Sequence, residues 1–149
     1  VRRIVLEQHR LPLDEYYPEL GRTLGEELLT PTAVYARPVL RLVSEADVHG
    51  TANISGGGLT ENLPRAMADG TRAVVRAGSW PEPPIFDLLR RLGPVPEEEM
   101  RRTFNLGIGM VVILPAGEVE RAQTLLAETG VTSWPVGEVV AGDKGVEFR

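Results

Sequence analysis

Nine residues, Arg102-Thr-Phe-Asn-Leu-Gly-Ile-Gly-Met110, place an arginine, a threonine and an asparagine just ahead of two glycines that alternate with apolar side chains. Arg102, Thr103 and Asn105 are donors suited to a phosphorylated small molecule. A guanidinium takes a phosphate through two N–H groups, and a hydroxyl and an amide add single bonds. The segment runs into Val111-Val-Ile-Leu114, so Gly107 and Gly109 fall where a polar loop is expected to become a buried strand. Glycine weakens a strand, and two of them here mark a bulge or a close approach by a ligand or by other backbone.

A second stretch, Asn53-Ile-Ser-Gly-Gly-Gly58, follows an alternating segment and precedes a helical one. It reads either as a flexible structural turn or as an anion cradle, in which residues without side chains let backbone N–H groups converge on a phosphate. In the second reading Ser55, Gly56, Gly57 and Gly58 form the cradle, and Thr60 and Asn62 add a hydroxyl and an amide. Neither glycine stretch is a dinucleotide fingerprint. Gly56-x-Gly58 has Glu61 where the third glycine belongs, and Gly107-x-Gly109 leads into a strand rather than a helix. A phosphate-loop nucleotide site is also excluded, because it needs a lysine closing the loop and the only lysine among 16 basic residues is Lys144.

Other reactive side chains are few. His49 is a candidate base on the polar face of the segment before the triple glycine. Glu97-Glu98-Glu99 reads as the solvated start of a helix. No nucleophile–base triad is recognisable, and no metal site is expected. With no cysteine a thiolate metal site has no ligands, and two histidines, His9 and His49, argue against a histidine-built one. A net charge of −5 without a dense basic cluster argues against nucleic-acid binding, and no run approaches a membrane span. No secretory leader is visible, which fits a cytoplasmic protein.

The elements that must position these groups follow from periodicity. The chain opens inside an amphipathic helix, Val1-Arg-Arg-Ile-Val-Leu6, without an initiator Met or a cap, as a piece of a longer protein would. That helix is expected to end near His9, before a surface loop over 11–23. A short helix over Leu24–Leu29 follows, then a longer one over 34–46 with Val39, Leu40 and Val43 inward and Pro38 in its first turn. Val48–Ile54 alternates as a strand, with His49, Thr51, Asn53 and Ser55 on its polar face. Leu59, Leu63 and Met67 repeat as a helix that Pro64 splits. A strand over Thr71–Ala77 leads to Ser79-Trp-Pro-Glu82, a capping box for a helix carrying Ile85, Leu88, Leu89 and Leu92. Pro96 opens a short acidic helix over Glu97–Arg101. A strand over Ile108–Leu114, a helix over Glu118–Thr129, and strands at 133–140 and 145–149 complete the chain, the last two read as a hairpin about Gly142-Asp-Lys-Gly145. Trp80 and Trp134 read as packing anchors. At 149 residues this is one domain, an α+β fold in which helices flank a mixed, largely antiparallel sheet.

Four stretches together resemble the C-terminal half of the aminoimidazole ribonucleotide synthetase (phosphoribosylformylglycinamidine cyclo-ligase) family. They are Leu28-Leu-Thr-Pro-Thr-Ala-Val-Tyr35, Asn53-Ile-Ser-Gly-Gly-Gly-Leu59 with Glu61-Asn-Leu-Pro-Arg65, Ser79-Trp80, and Arg102–Met110, in the family's order and spacing. The resemblance implies an enzyme of purine synthesis that closes an imidazole ring. ATP activates the formyl oxygen of formylglycinamidine ribonucleotide, a nitrogen attacks that carbon, and ADP and phosphate leave. It also implies a cytoplasmic two-domain homodimer whose N-terminal domain supplies most ATP and Mg²⁺ contacts. This chain would then be the C-terminal half, holding no cofactor alone and partnering its own N-terminal domain and a ribonucleotide substrate. The glycine loop would hold phosphate, with Ser55, Gly56, Gly57, Gly58, Asn62, Arg102, Thr103, Asn105 and Gly107 as the binding set.

The chain departs from the family where His-Ile-Thr-Gly-Gly-Gly is usual, having Asn53 and Ser55 instead. Serine replaces the threonine hydroxyl, but asparagine cannot shuttle a proton near neutral pH. Asn53 and His49 are therefore the two candidates for catalytic work at this strand. Other readings of the same residues are a domain of a related ATP-dependent enzyme, of the thiamine-phosphate kinase or selenophosphate synthetase type, and a non-catalytic ligand-sensing domain. The Arg102–Met110 segment speaks against the first.

Overall fold

Short strands and proline-punctuated helices divide this chain into small sheets that share one apolar interior. The computed structural model describes residues 1–149. Arg3–Gln8 forms a single wide, π-type helical stretch that stops at His9, as the sequence predicts, with Val5 fully buried beneath it. The stretch expected to be a surface loop contains two two-residue strands, β1 (Tyr16–Tyr17) and β2 (Arg22–Thr23), paired antiparallel. They are too short for alternation to register. Thr23 caps α1 (Leu24–Leu28): Glu26 N donates to the Thr23 hydroxyl at 3.3 Å, and Thr23 N donates to the Glu26 carboxylate at 2.8 Å.

In α2 (Ala36–Glu45) Pro38 sits within the first turn, but the inward face is not the one expected. Pro38 and Leu42 are buried, whereas Leu40 is 69% and Val43 57% exposed. The surface that α2 meets is narrow, Leu42 packing with Ala122 and Leu125, so only the row through Leu42 is covered. β3 (Gly50–Asn53) is followed by α3 (Gly58–Asn62) and a 3₁₀ turn over Leu63–Ala66, the split at Pro64 falling as expected.

β4 (Thr71–Val75) leads to α4 (Pro84–Leu92), which does not begin in the expected capping box. Pro83 is its N-cap and Pro84 its first residue, and the buried Ser79 hydroxyl has no hydrogen-bond partner. Prolines at 81, 83 and 84 bias Trp80, Glu82 and Pro83 away from helical dihedrals, so the helix cannot start at Ser79. Glu82 instead pairs with Arg90 at 2.9 Å. α5 (Glu97–Thr103), β5 (Met110–Ile113), α6 (Val119–Glu128), β6 (Gly137–Ala141) and β7 (Gly145–Phe148) complete the order.

The fold is α+β with small mixed and antiparallel sheets, as expected in class, although the strands do not gather into one sheet. β3 pairs antiparallel with β5, Asn53 facing Met110. The two last strands are not a hairpin. β4 lies between them, antiparallel to β6 and parallel to β7. The turn at Gly142 straddles the start of β4, with Gly142 N donating to Gly70 O at 2.9 Å and Lys144 paired to Asp69. Ala73, Val74 and Val75 are all buried, so the most apolar strand takes the centre. The main core joins Val5, Leu24, Ile54, Leu59, Leu89, Met100, Leu106, Ile108 and Val111. It thus lies directly beneath both glycine-bearing segments.

Candidate functional site

β3 carries its side chains as the alternation predicts: Ala52 and Ile54 are buried, and His49, Thr51, Asn53 and Ser55 are exposed. β5 holds it in register, and Ile54 N donates to Gly109 O at 2.9 Å, joining the end of β3 to the second glycine segment. After Ser55 the chain turns tightly, with Gly58 N donating to Ser55 O at 3.1 Å. Gly57 (φ +100°) and Gly58 (φ +55°) take left-handed backbone that side chains disfavour. A Cβ on Gly58 would overlap Arg101 O and stand 2.7 Å from Phe104 O, so this glycine is where α3 meets α5. Gly56 faces open space. The buried Asn62 amide donates to Gly56 O at 3.1 Å and Gly58 O at 2.8 Å, fastening the loop from below. Its N–H groups therefore serve the loop rather than facing outward as a ligand contact.

The loop expected over Arg102–Asn105 is shorter than the sequence suggests, because α5 runs on through Arg102 and Thr103. Thr103 Oγ1 donates to Glu99 Oε1 at 2.9 Å along the helix. Arg102 Nε donates to Glu61 Oε1 at 2.8 Å, and that carboxylate, with Glu99 next, holds the guanidinium proton above the usual arginine range. Past the helix, Asn105 Oδ1 accepts from Gly107 N at 3.1 Å, a local turn that tolerates Leu106 at φ +49° and Gly107 at φ +97°. The Trp80 indole N–H donates to Leu106 O at 2.8 Å in a buried setting. Trp80 is thus the packing anchor expected, and it also fixes this turn. A Cβ on Gly107 would stand 2.6 Å from Pro83 Cδ, and one on Gly109 would strike the Tyr35 ring. Both glycines answer to close packing by the protein itself.

The fold therefore brings Ser55–Gly58, Asn62 and Arg102 together, with Thr103 beside Arg102 at the end of α5 and Asn105 and Gly107 on the adjoining turn. It does not bring His49 there. His49 lies four residues before Asn53, about 13 Å along an extended strand, and its ring pairs with Asp47 at 3.2 Å on an exposed surface. Glu97 pairs with Arg90 at 3.0 Å, so the acidic run ties α5 to α4. No group of three or more His, Cys, Asp or Glu side chains is arranged to hold a metal ion. A cavity of about 590 Å³, mostly apolar, opens between β5 and β6 and is bordered by Tyr35, His49 and Trp134. Trp134, 37% exposed, stands at its rim and is not a buried anchor. That cavity excludes the Ser55–Gly58 loop. An exposed hydroxyl at Ser55 and an exposed guanidinium at Arg102 are groups that bind phosphate where an apolar cavity does not, so the loop carries the functional reading.

The sequence profile of the family described as AIR synthase related protein, C-terminal domain, matches residues 2–148. The chain belongs to this family. Among curated relatives it is similar to a phosphoribosylformylglycinamidine cyclo-ligase of Symbiobacterium thermophilum, 56% identical over 134 residues, covering 89% of this chain and 38% of the relative. Proteins of the same name from Caldanaerobacter subterraneus and Pseudothermotoga lettingae are 47% and 45% identical, each over 98% of this chain. The chain spans about two-fifths of the length of these relatives, 38–43%. No helix is long and apolar enough to cross a membrane. The residue whose role sequence reasoning misses in this family member is Glu61, which stands in the resembling stretch Glu61–Arg65 and breaks a fingerprint but has no place in the site read from the sequence. Its pairing with Arg102, 41 positions away, appears only once α3 packs on α5.

Proposed function

We propose that this chain is the substrate-phosphate-binding domain of a phosphoribosylformylglycinamidine cyclo-ligase, acting in purine synthesis on formylglycinamidine ribonucleotide and inactive alone. The observation that carries this reading is the meeting of Ser55–Gly58 with Arg102 across the α3–α5 contact. The relatives' shared name supports it. In this reading the 5′-phosphate lies against Ser55–Gly58, with the Ser55 hydroxyl and the Arg102 guanidinium as outward-facing donors. α3 has only five residues, so the loop's N–H groups contribute more than its dipole. Asn53, beside the loop, offers an amide that orients the substrate but moves no proton.

The contribution to rate is orientation of the reacting groups and stabilisation of charge. ATP with Mg²⁺ supplies the activation of the formyl oxygen. The residues of this chain do not fit that pair, since Lys144 is spent on Asp69 at 2.9 Å and no metal-ligand cluster exists. The reading assigns both to a preceding domain, through which the whole protein dimerises. Mixing this chain with that domain, made separately, and following ATP-dependent ring closure tests it. Product should form only when both parts are present. No product from a properly assembled complex, or from the intact parent, refutes the assignment.

A further inference from the structure

Within the loop just assigned, one side chain already stands where an anion would go. The Glu61 carboxylate lies between Gly57 and Arg102: Oε1 accepts from Arg102 Nε at 2.8 Å, and Oε2 would stand 2.8 Å from a Cβ on Gly57. The absence of a side chain at Gly57 is what leaves room for it. We infer that Glu61 is the resident counter-anion of the loop, and that a phosphomonoester gains Arg102 by displacing it. Glu61 is then a specificity-determining residue, and the inference rests on the reading of Ser55–Gly58 and Arg102 as the phosphate site.

Three features support the exchange. Glu61 and Arg102 side chains are 41% and 63% exposed, and ion pairs in such settings are weak and easily traded. Arg102 offers further N–H groups beyond the Nε that Glu61 engages, and a phosphate dianion can take two guanidinium bonds in parallel. Glu61 is not needed to close the loop, which is held by Asn62 and by the Gly58 N–Ser55 O bond. With Glu61 in place the loop repels weak anions, so a monocarboxylate gains nothing by entering. A dianionic phosphate on a ribonucleotide has both the charge and the geometry to replace it.

The test uses the full-length protein containing this chain, with formylglycinamidine ribonucleotide as substrate. Glu61→Gln keeps the shape and removes the charge. It should lower KM about two- to fivefold, with kcat changed less than about twofold and the urea midpoint unmoved. It should also let inorganic phosphate compete measurably better. In an Arg102→Ala background the same change should lower KM by less than it does with Arg102 present. An unchanged or raised KM in Glu61→Gln, with Arg102→Ala still raising KM, overturns the inference and leaves the phosphate site standing. An Arg102→Ala protein with unaltered KM removes the phosphate-site reading itself.

Discussion

Replacing Gly58 with alanine separates what the triple glycine does for the fold from what it does for a ligand. At φ +55° an alanine pays for left-handed backbone, a cost of about 1–2 kcal/mol. The added Cβ would overlap Arg101 O and sit 2.7 Å from Phe104 O, both backbone atoms that cannot rotate aside. Relieving the overlap means drawing α3 off α5, which loosens packing around Leu59 and Met100, both at most 2% exposed. Overpacking of this kind costs about 1–3 kcal/mol, so the total is roughly 2–5 kcal/mol. Against a domain stability of about 5–15 kcal/mol that is a large loss. Gly56→Ala is the control, because Gly56 has open space at its Cβ and no left-handed φ. It should cost under about 0.5 kcal/mol in stability. Urea unfolding with unchanged m-values measures both. Equal midpoints for Gly58→Ala and wild type, or equal damage from the two substitutions, would refute the reasoning.

Trp80→Phe keeps the ring and deletes the indole N–H, leaving the buried Leu106 carbonyl without its donor, and should cost about 1–3 kcal/mol in thermal unfolding. A loss below about 0.5 kcal/mol would mean that the Leu106 turn holds itself. Acid should destabilise the chain, because Glu19, Glu26, Asp69 and Glu147 titrate below their ordinary 4.5 or 3.8. They are held there chiefly by backbone or hydroxyl hydrogen bonds at Glu19 and Glu26, by Lys144 at Asp69 and by Arg149 at Glu147. A carboxyl held low in the folded state contributes above its unfolded pKa and loses that contribution as pH falls through its folded value. The urea midpoint should therefore hold from about pH 7 to 5 and decline towards about pH 3. A midpoint that rises on acidification contradicts these pairings.

Local signals predicted local structure well. The alternation over Val48–Ile54 placed Asn53 and Ser55 on the outer face of β3, and Pro64 split its helix where proline must. Competing local signals misled. Two Ser/Thr-x-x-Glu patterns exist, and the one at Thr23 forms the capping box while Ser79 does not, because three prolines follow Ser79. Non-local pairing left no trace in the sequence. The strands at 133–140 and 145–149 read as a hairpin, yet Val139 and Val146 both pair with Ala73, whose strand is the more buried and takes the sheet centre. The site divides in the same way. Glycines and donors were visible as types, but the Glu61–Arg102 pair and the inward turn of Asn62 depend on α3 meeting α5.

The central claim is that this chain holds its substrate by a phosphate, through Ser55–Gly58 and Arg102. Calorimetric titration of the full-length protein with formylglycinamidine ribonucleotide and with the same molecule lacking its phosphate addresses it most directly. Two charge-assisted hydrogen bonds at about 1.5 kcal/mol or more each correspond to roughly a hundredfold in Kd, so the nucleoside should bind at least about that much more weakly. Arg102→Ala should shrink the ratio by about tenfold or more. Equal affinity for the two ligands, or a ratio untouched by removing Arg102, would contradict the account.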